Sequence, residues 1–208
     1  LLLVPSCGIK PPELSSVEWR IESRPSDMGT RYESLSAFAS IKDESGLDNI
    51  DTIWIVDDDD ALAWKLTSAD WTKPSQGPSD WIGGSSLAAP DLGPIPRGKY
   101  RFVAIDASGQ QAELAFAVGG AFPAKKAPEI SYSSSSGQLS VRSEWTETLV
   151  LTFDAAGVFL RSAAAPEKAE SLADLLGDDG AERTALVGAY GYEPGSRMGA
   201  FSQRIKTR

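Results

Sequence analysis

The feature that most constrains this chain is a period of two. Val17, Trp19 and Ile21 alternate with Glu18, Arg20 and Glu22, so an extended backbone would carry an apolar row on one face and a charged, wet row on the other. Leu35, Ala37, Ala39 and Ile41 repeat the pattern against Ser34, Ser36 and Ser40. Ile50 to Val56 carries Trp54 among Ile53, Ile55 and Val56 and is apolar on both faces, as a central strand requires. Leu62, Trp64 and Leu66 alternate with Ala63 and Lys65. Tyr100, Phe102 and Ala104 lead through Asp106-Ala107-Ser108-Gly109 into Ala112, Leu114, Phe116 and Val118, which predicts a hairpin. Runs of this kind, separated by Gly, Asp, Asn and Ser clusters, predict an all-β chain whose first domain, residues 15–120, is an antiparallel sandwich of about seven strands.

A length of 208 residues suits one large or two small domains. Gly119 to Pro128 is rich in Gly and Pro and breaks the alternation, which sets the boundary there. A second set of short strands follows over residues 128–208, at Ile130 and Tyr132, Leu139 and Val141, Leu149 to Phe153, and Val158 and Leu160. Asp154-Ala155-Ala156-Gly157 turns between the last two with the logic of the Asp106 turn. Ala169, Leu172, Ala173 and Leu176 fall at helical spacing before Gly177, predicting one short helix within Pro166 to Leu176. Leu186 to Tyr192 and Ala200 to Ile205 close this smaller sandwich as a hairpin.

Ile95-Pro96-Arg97-Gly98-Lys99-Tyr100 resembles the corner motif of immunoglobulin-like and fibronectin-like domains. The resemblance implies that Tyr100 buries its ring and bonds its hydroxyl to backbone a few residues upstream. The expected architecture is two immunoglobulin-like sandwich domains in tandem, the second small. The disulfide of antibody domains is missing, because the chain has a single cysteine.

Histidine is absent from the sequence, which removes the commonest general base and the commonest metal ligand. Ser-His-Asp and Cys-His mechanisms are impossible, and a zinc site is disfavoured. Neither a phosphate-binding Gly-rich loop with its Lys, nor a Ser-x-x-Lys pair, nor a Gly-x-Ser-x-Gly elbow occurs. Paired carboxylates are the chemistry that remains, yet most acidic residues read as solvated strand faces or turns, so no catalytic residue and no cofactor are assigned. A net charge of -9, shared by both halves, repels phosphate backbones and disfavours nucleic acid as a partner.

Leu1-Leu2-Leu3-Val4-Pro5-Ser6-Cys7-Gly8 resembles the end of a bacterial lipoprotein signal peptide. In that family a small residue precedes a cysteine that is lipidated and becomes the mature N-terminus; Ser6, Gly8 and Val4 suit the flanks, whereas Pro5 departs from the pattern. The resemblance implies lipidation at Cys7, residues 1–14 as signal remnant and tether, attachment to a membrane of the bacterial envelope, on its periplasmic or cell-surface side, and another envelope protein as partner. The competing reading is a buried free thiol, against which Pro5, Pro11 and Pro12 argue by denying a ladder its N–H groups.

Two further features could bind something. Asp57, Asp58, Asp59 and Asp60 follow a central strand; the run reads as a solvated turn, with calcium as the alternative, because it lacks the spaced pattern of a calcium loop. Thr67 to Gly98 passes without clear alternation yet holds Trp71 and Trp81, so it reads as a long loop. Its tryptophans are either a platform for a partner or a sugar ring, or lids folded back on the sandwich with a strand at Trp81 to Ile82. Energetics favour a division in which at least one ring is buried, since only a large apolar group offsets the order such a loop needs. Trp145, flanked by Glu144 and Glu147, reads as an edge-packing residue rather than a site. The expected function is that of a lipid-anchored, non-enzymatic interaction or structural module, with a carbohydrate-binding module or carboxylate-based glycosidase as the alternative.

Overall fold

The computed structural model describes residues 10–59, 62–73, 75–76 and 79–207. Strands dominate it. In chain order they are β1 (Glu13–Pro25), β2 (Arg31–Lys42), β3 (Ile50–Asp57), β4 (Leu62–Leu66), β5 (Ser75–Gln76), β6 (Ser79–Ala88), β7 (Gly98–Asp106) and β8 (Gln111–Val118). There follow β9 (Glu129–Ser133), β10 (Gln138–Arg142), β11 (Glu147–Phe153), β12 (Phe159–Ala164), β13 (Glu170–Ser171), α1 (Leu172–Leu176), α2 (Asp178–Arg183), β14 (Leu186–Glu193), β15 (Met198–Phe201) and β16 (Ile205–Lys206). The chain forms two compact units. The first takes residues up to Trp19, Leu35–Ala89 and Ile95–Gly120; the second takes Arg20–Ser34, Pro90–Pro94 and everything from Ala121. Strands β1 and β2 therefore each contribute residues to both units.

In the first unit β4, β3, β7 and β8 form an antiparallel sheet in the order β4-β3-β7-β8. Its register sets Trp54 opposite Val103, Ile55 opposite Phe102, and Phe102 opposite Leu114. Strand β3 is central, as its two-sided apolar sequence predicts, and Ile53 and Ile55 are fully buried. Strand β2 neighbours β1 on one side and β6 on the other, and β6 pairs β5. Leu35, Ala37, Ala39 and Ile41 are buried there, but so are Ser36 and Ser40, which alternation alone assigns to a wet face. The β7–β8 hairpin turns on Asp106, whose Oδ1 accepts from the backbone N–H groups of Ser108 and Gln110 at 2.8 and 2.9 Å. In the second unit Asp154 does the same for Ala156 and Val158, both at 2.9 Å.

The segment from Thr67 to Gly98 is not a long loop. Ten of its residues form β6, whose period is hidden by Gly83, Gly84, Ser85 and Ser86. A Cβ at Gly83 would lie 2.1 Å from the carbonyl oxygen of Ala37 on β2, so the glycine is what lets the two backbones approach. Small residues therefore erase the alternation at the place where the strand is most tightly packed.

The second unit holds a sheet in which β12, β11, β14 and β15 are neighbours in that order, and a three-stranded sheet β13-β10-β9. Residues Ile21–Ser23 of β1 run parallel to Met198–Ala200 of β15. Leu139, Val150, Leu172, Leu176 and Val187 form the core. The single helix expected within Pro166 to Leu176 is two shorter ones: α1 starts at Leu172 behind the N-cap Ser171, whose Oγ accepts from the Asp174 N–H at 3.0 Å. Gly177, with φ at +76°, ends α1 and opens α2. Residues 170–171 are extended because they pair with Gln138 and Leu139 of β10.

Candidate functional site

Two strands of the second unit, β14 and β15, place their side chains by register. Tyr190 faces Phe201, Tyr192 faces Gly199, and Gly199 sits beside Glu22 of β1. Alternation sends Val187, Ala189, Met198, Ala200 and Ile21 to the opposite face, where all are buried. What remains is a layer of Tyr190, Tyr192 and Phe201 with Arg20, Glu22 and Arg24 laid across it. Tyr190 and Tyr192 stack with centroids 6.1 Å apart, and Tyr190 meets Phe201 at 4.5 Å. The Arg20 guanidinium lies 4.8 Å over the Tyr192 ring and that of Arg24 lies 4.2 Å over Phe201.

Charge in this layer is unevenly settled. Glu22 is only 6% exposed, and Arg24 donates to it through Nη2 at 2.6 Å while Nε donates to Ser34 Oγ at 2.8 Å. Burying the carboxylate is tolerable because the guanidinium comes with it. Tyr190 is 7% exposed, and its hydroxyl finds no hydrogen-bond partner among the described residues. Burial, reinforced by the Glu22 charge, holds this phenol well above its ordinary 10.0. A Cβ at Gly199 would fall 2.4 Å from that hydroxyl, so only glycine lets the phenol lie across β15. Arg20 and Tyr192 are more accessible, which leaves a cation and an aromatic edge presented to solvent.

The residues singled out from sequence do not join this layer. Cys7 and Asp60 lie outside the described residues. Asp57 is buried at the end of β3, its Oδ1 accepting from the Asp59 N–H at 3.2 Å. Asp58 is held by Arg101, whose Nε and Nη2 donate to its carboxylate oxygens at 2.6 and 2.5 Å, and that bond keeps its pKa below the ordinary carboxylate value. Arg101 also reaches Glu113 at 2.8 Å. Among the described residues no group of three or more Asp, Glu or Cys side chains is disposed to hold a metal ion.

Trp71 is 9% exposed, while Trp81 on β6 is half-buried, so one ring is buried and the other partly accessible. Tyr100 is fully buried and donates from its hydroxyl to the Pro96 carbonyl at 2.9 Å. Trp145 is buried, with its Nε1 donating to the Lys126 carbonyl at 2.7 Å. The arginine–aromatic layer escapes sequence reasoning because Arg20 and Glu22 read as a wet strand face. The available signal was the Tyr190-Gly191-Tyr192 alternation in a strand that also needs Gly199. No helix among the described residues is long and apolar enough to cross a membrane. No protein-family model matches the chain, and no curated protein matches it.

Proposed function

We propose that this chain is a non-enzymatic interaction module of a bacterial envelope, carried on an immunoglobulin-like β-sandwich followed by a second, smaller one, and held to a membrane by lipid on Cys7. The strand orders β1-β2-β6-β5 and β4-β3-β7-β8 support the first assignment, since an immunoglobulin-type sandwich divides its strands in this way. The Tyr100 hydroxyl on the Pro96 carbonyl supports it further, as the corner of such a domain does the same. For the smaller sandwich the support is a pair of sheets sharing a core around Leu139, Val150 and Val187.

The observation that carries the interaction reading is the layer of Arg20 and Arg24 stacked on Tyr192 and Phe201. Arg and Tyr are the residues in which binding energy concentrates at protein interfaces, and a β scaffold holds them with little entropy left to lose. A photo-crosslinking side chain at position 192 is expected to capture an envelope protein in intact cells, whereas one at Gln138 on β10 is not. Failure to form any adduct at 192 removes the interaction reading. The anchor is tested separately: with its full leader the protein should take up labelled palmitate and partition into detergent, and Cys7→Ser should abolish both. An unmodified Cys7 with residues 1–6 still attached in the native cell removes the anchor.

A further inference from the structure

The four-stranded sheet of the first unit ends in β8, which among the described residues has a strand partner on one side only, β7. Other edges are short or interrupted. Strand β5 has two residues, β4 has five and carries Lys65, and β12 faces a register shift at Thr152/Phe153. Strand β8 runs eight residues against β7 without a bulge, from Gly98↔Val118 to Ile105↔Gln111, and holds neither Pro nor Lys. Those are the devices by which an edge is normally kept from pairing.

The phase of the free ladder follows from one bond. Asp106 donates its N–H to the Gln110 carbonyl at 2.9 Å, which makes Ile105↔Gln111 a non-hydrogen-bonded pair. Alternation then gives the even residues of β8 to β7 and leaves the N–H and C=O groups of Gln111, Glu113, Ala115 and Ala117 pointing away from the sheet. Their side chains are exposed, and the one charge among them, Glu113, is already held by Arg101 at 2.8 Å. On the other face Leu114 and Phe116 are only half-buried.

We propose that β8 is an interface for a second copy of this chain, the two β8 strands pairing antiparallel about a two-fold axis at Ala115. Complementarity in that register favours self-pairing. Ala115 meets Ala115, Glu113 meets Ala117, and Leu114 meets Phe116 of the other copy. No like charges face each other across the axis, both faces of the sheet continue in phase, and the half-exposed Leu114 and Phe116 cover one another. Net charge of -9 on each copy opposes the association at long range, so salt should strengthen it.

Sedimentation equilibrium in reducing buffer, which keeps Cys7 from cross-linking, is the test. The chain should shift from monomer toward dimer with concentration, and more so on going from roughly 0.1 to 1 M salt. Ala115→Pro removes an N–H that points away from β7, and Ala115→Lys sets two like charges on the axis; each should weaken dimerisation at least about tenfold. Thermal unfolding checks that each variant is folded, and where the proline variant is not, the lysine variant decides. A chain that stays monomeric up to about 1 mM at high salt overturns the proposal, because any occupant of the edge would then be foreign. A dimer that survives a folded Ala115 variant overturns it equally.

Discussion

The two units bury polar groups in different settings. In the first, the largest buried polar side chain is Tyr100, neutral and satisfied by the Pro96 carbonyl at 2.9 Å; around it lie Phe102, Ile53, Ile55 and Leu35, all fully buried. In the second, an arginine and a glutamate are drawn into the sheet face with a phenol whose hydroxyl is unpartnered among the described residues. The first unit also buries two carboxylates, Asp57 and Asp106, at strand ends, where one oxygen of each accepts from backbone N–H and the other has no hydrogen-bond partner among the described residues. A layer holding an ion pair and an unsatisfied hydroxyl gives up stability that an all-apolar layer would have supplied. The contrast teaches that the buried charge of the first unit closes turns, while the second lays an arginine and a glutamate across an aromatic sheet face.

Five substitutions, one of them paired with a compensating change, sharpen that contrast. The largest effect should come from the first unit: Trp71→Ala is expected to cost about 3 to 5 kcal/mol in denaturant unfolding, since it empties a buried indole site. A cost near zero would mean that Trp71 does not anchor its segment. In the second unit Arg24→Ala strands Glu22 without its partner, for about 2 to 3 kcal/mol, discounted because the Arg24 side chain keeps 22% exposure. If Arg24→Ala together with Glu22→Leu recovers the loss, the pair is dispensable to the fold and the contrast stands. Tyr100→Phe should cost about 1 to 3 kcal/mol by leaving the Pro96 carbonyl without its donor, and no change would dissolve the corner.

The next effect appears only at high pH. The Tyr190 phenol ionises less readily folded than unfolded, so its contribution is fully present below 10.0 and is lost as pH rises beyond that value toward the folded pKa. Tyr190→Phe should flatten this part of the stability–pH curve while leaving the curve below it unchanged. The smallest effect belongs to the surface: Arg101→Gln separates Asp58 and Glu113 from their shared cation, and the unfolding midpoint should not move measurably at moderate salt.

Much of the fold was legible because it is local. The β7–β8 hairpin follows from period two on either side of an Asp–Gly turn, and the Asp154 turn from the same residues, since an Asx side chain closes its own turn whatever surrounds it. The two-sided apolarity of Ile50 to Val56 marked a central strand in advance. The site was not legible. Glu22 carries the same sequence signal as the exposed Glu18, and only its neighbour Arg24, two residues on and turned to the same face, makes its burial tolerable.

The sequence by itself determined that this chain would be mostly strands, where several of them turn, and which chemistry it lacks for want of histidine. It also marked Tyr100, whose hydroxyl bonds the Pro96 carbonyl. Only the tertiary structure decided that Gly83 would press β6 against β2, that Ile21–Ser23 would run parallel to Met198–Ala200, and that residues 20–34 would cluster with the second unit. The physical reason is range. Alternation, turns and caps are energies between residues a few positions apart, which a sequence displays directly. A parallel pairing across about 175 positions, or a glycine needed because another backbone arrives there, depends on partners that only the folded chain brings together.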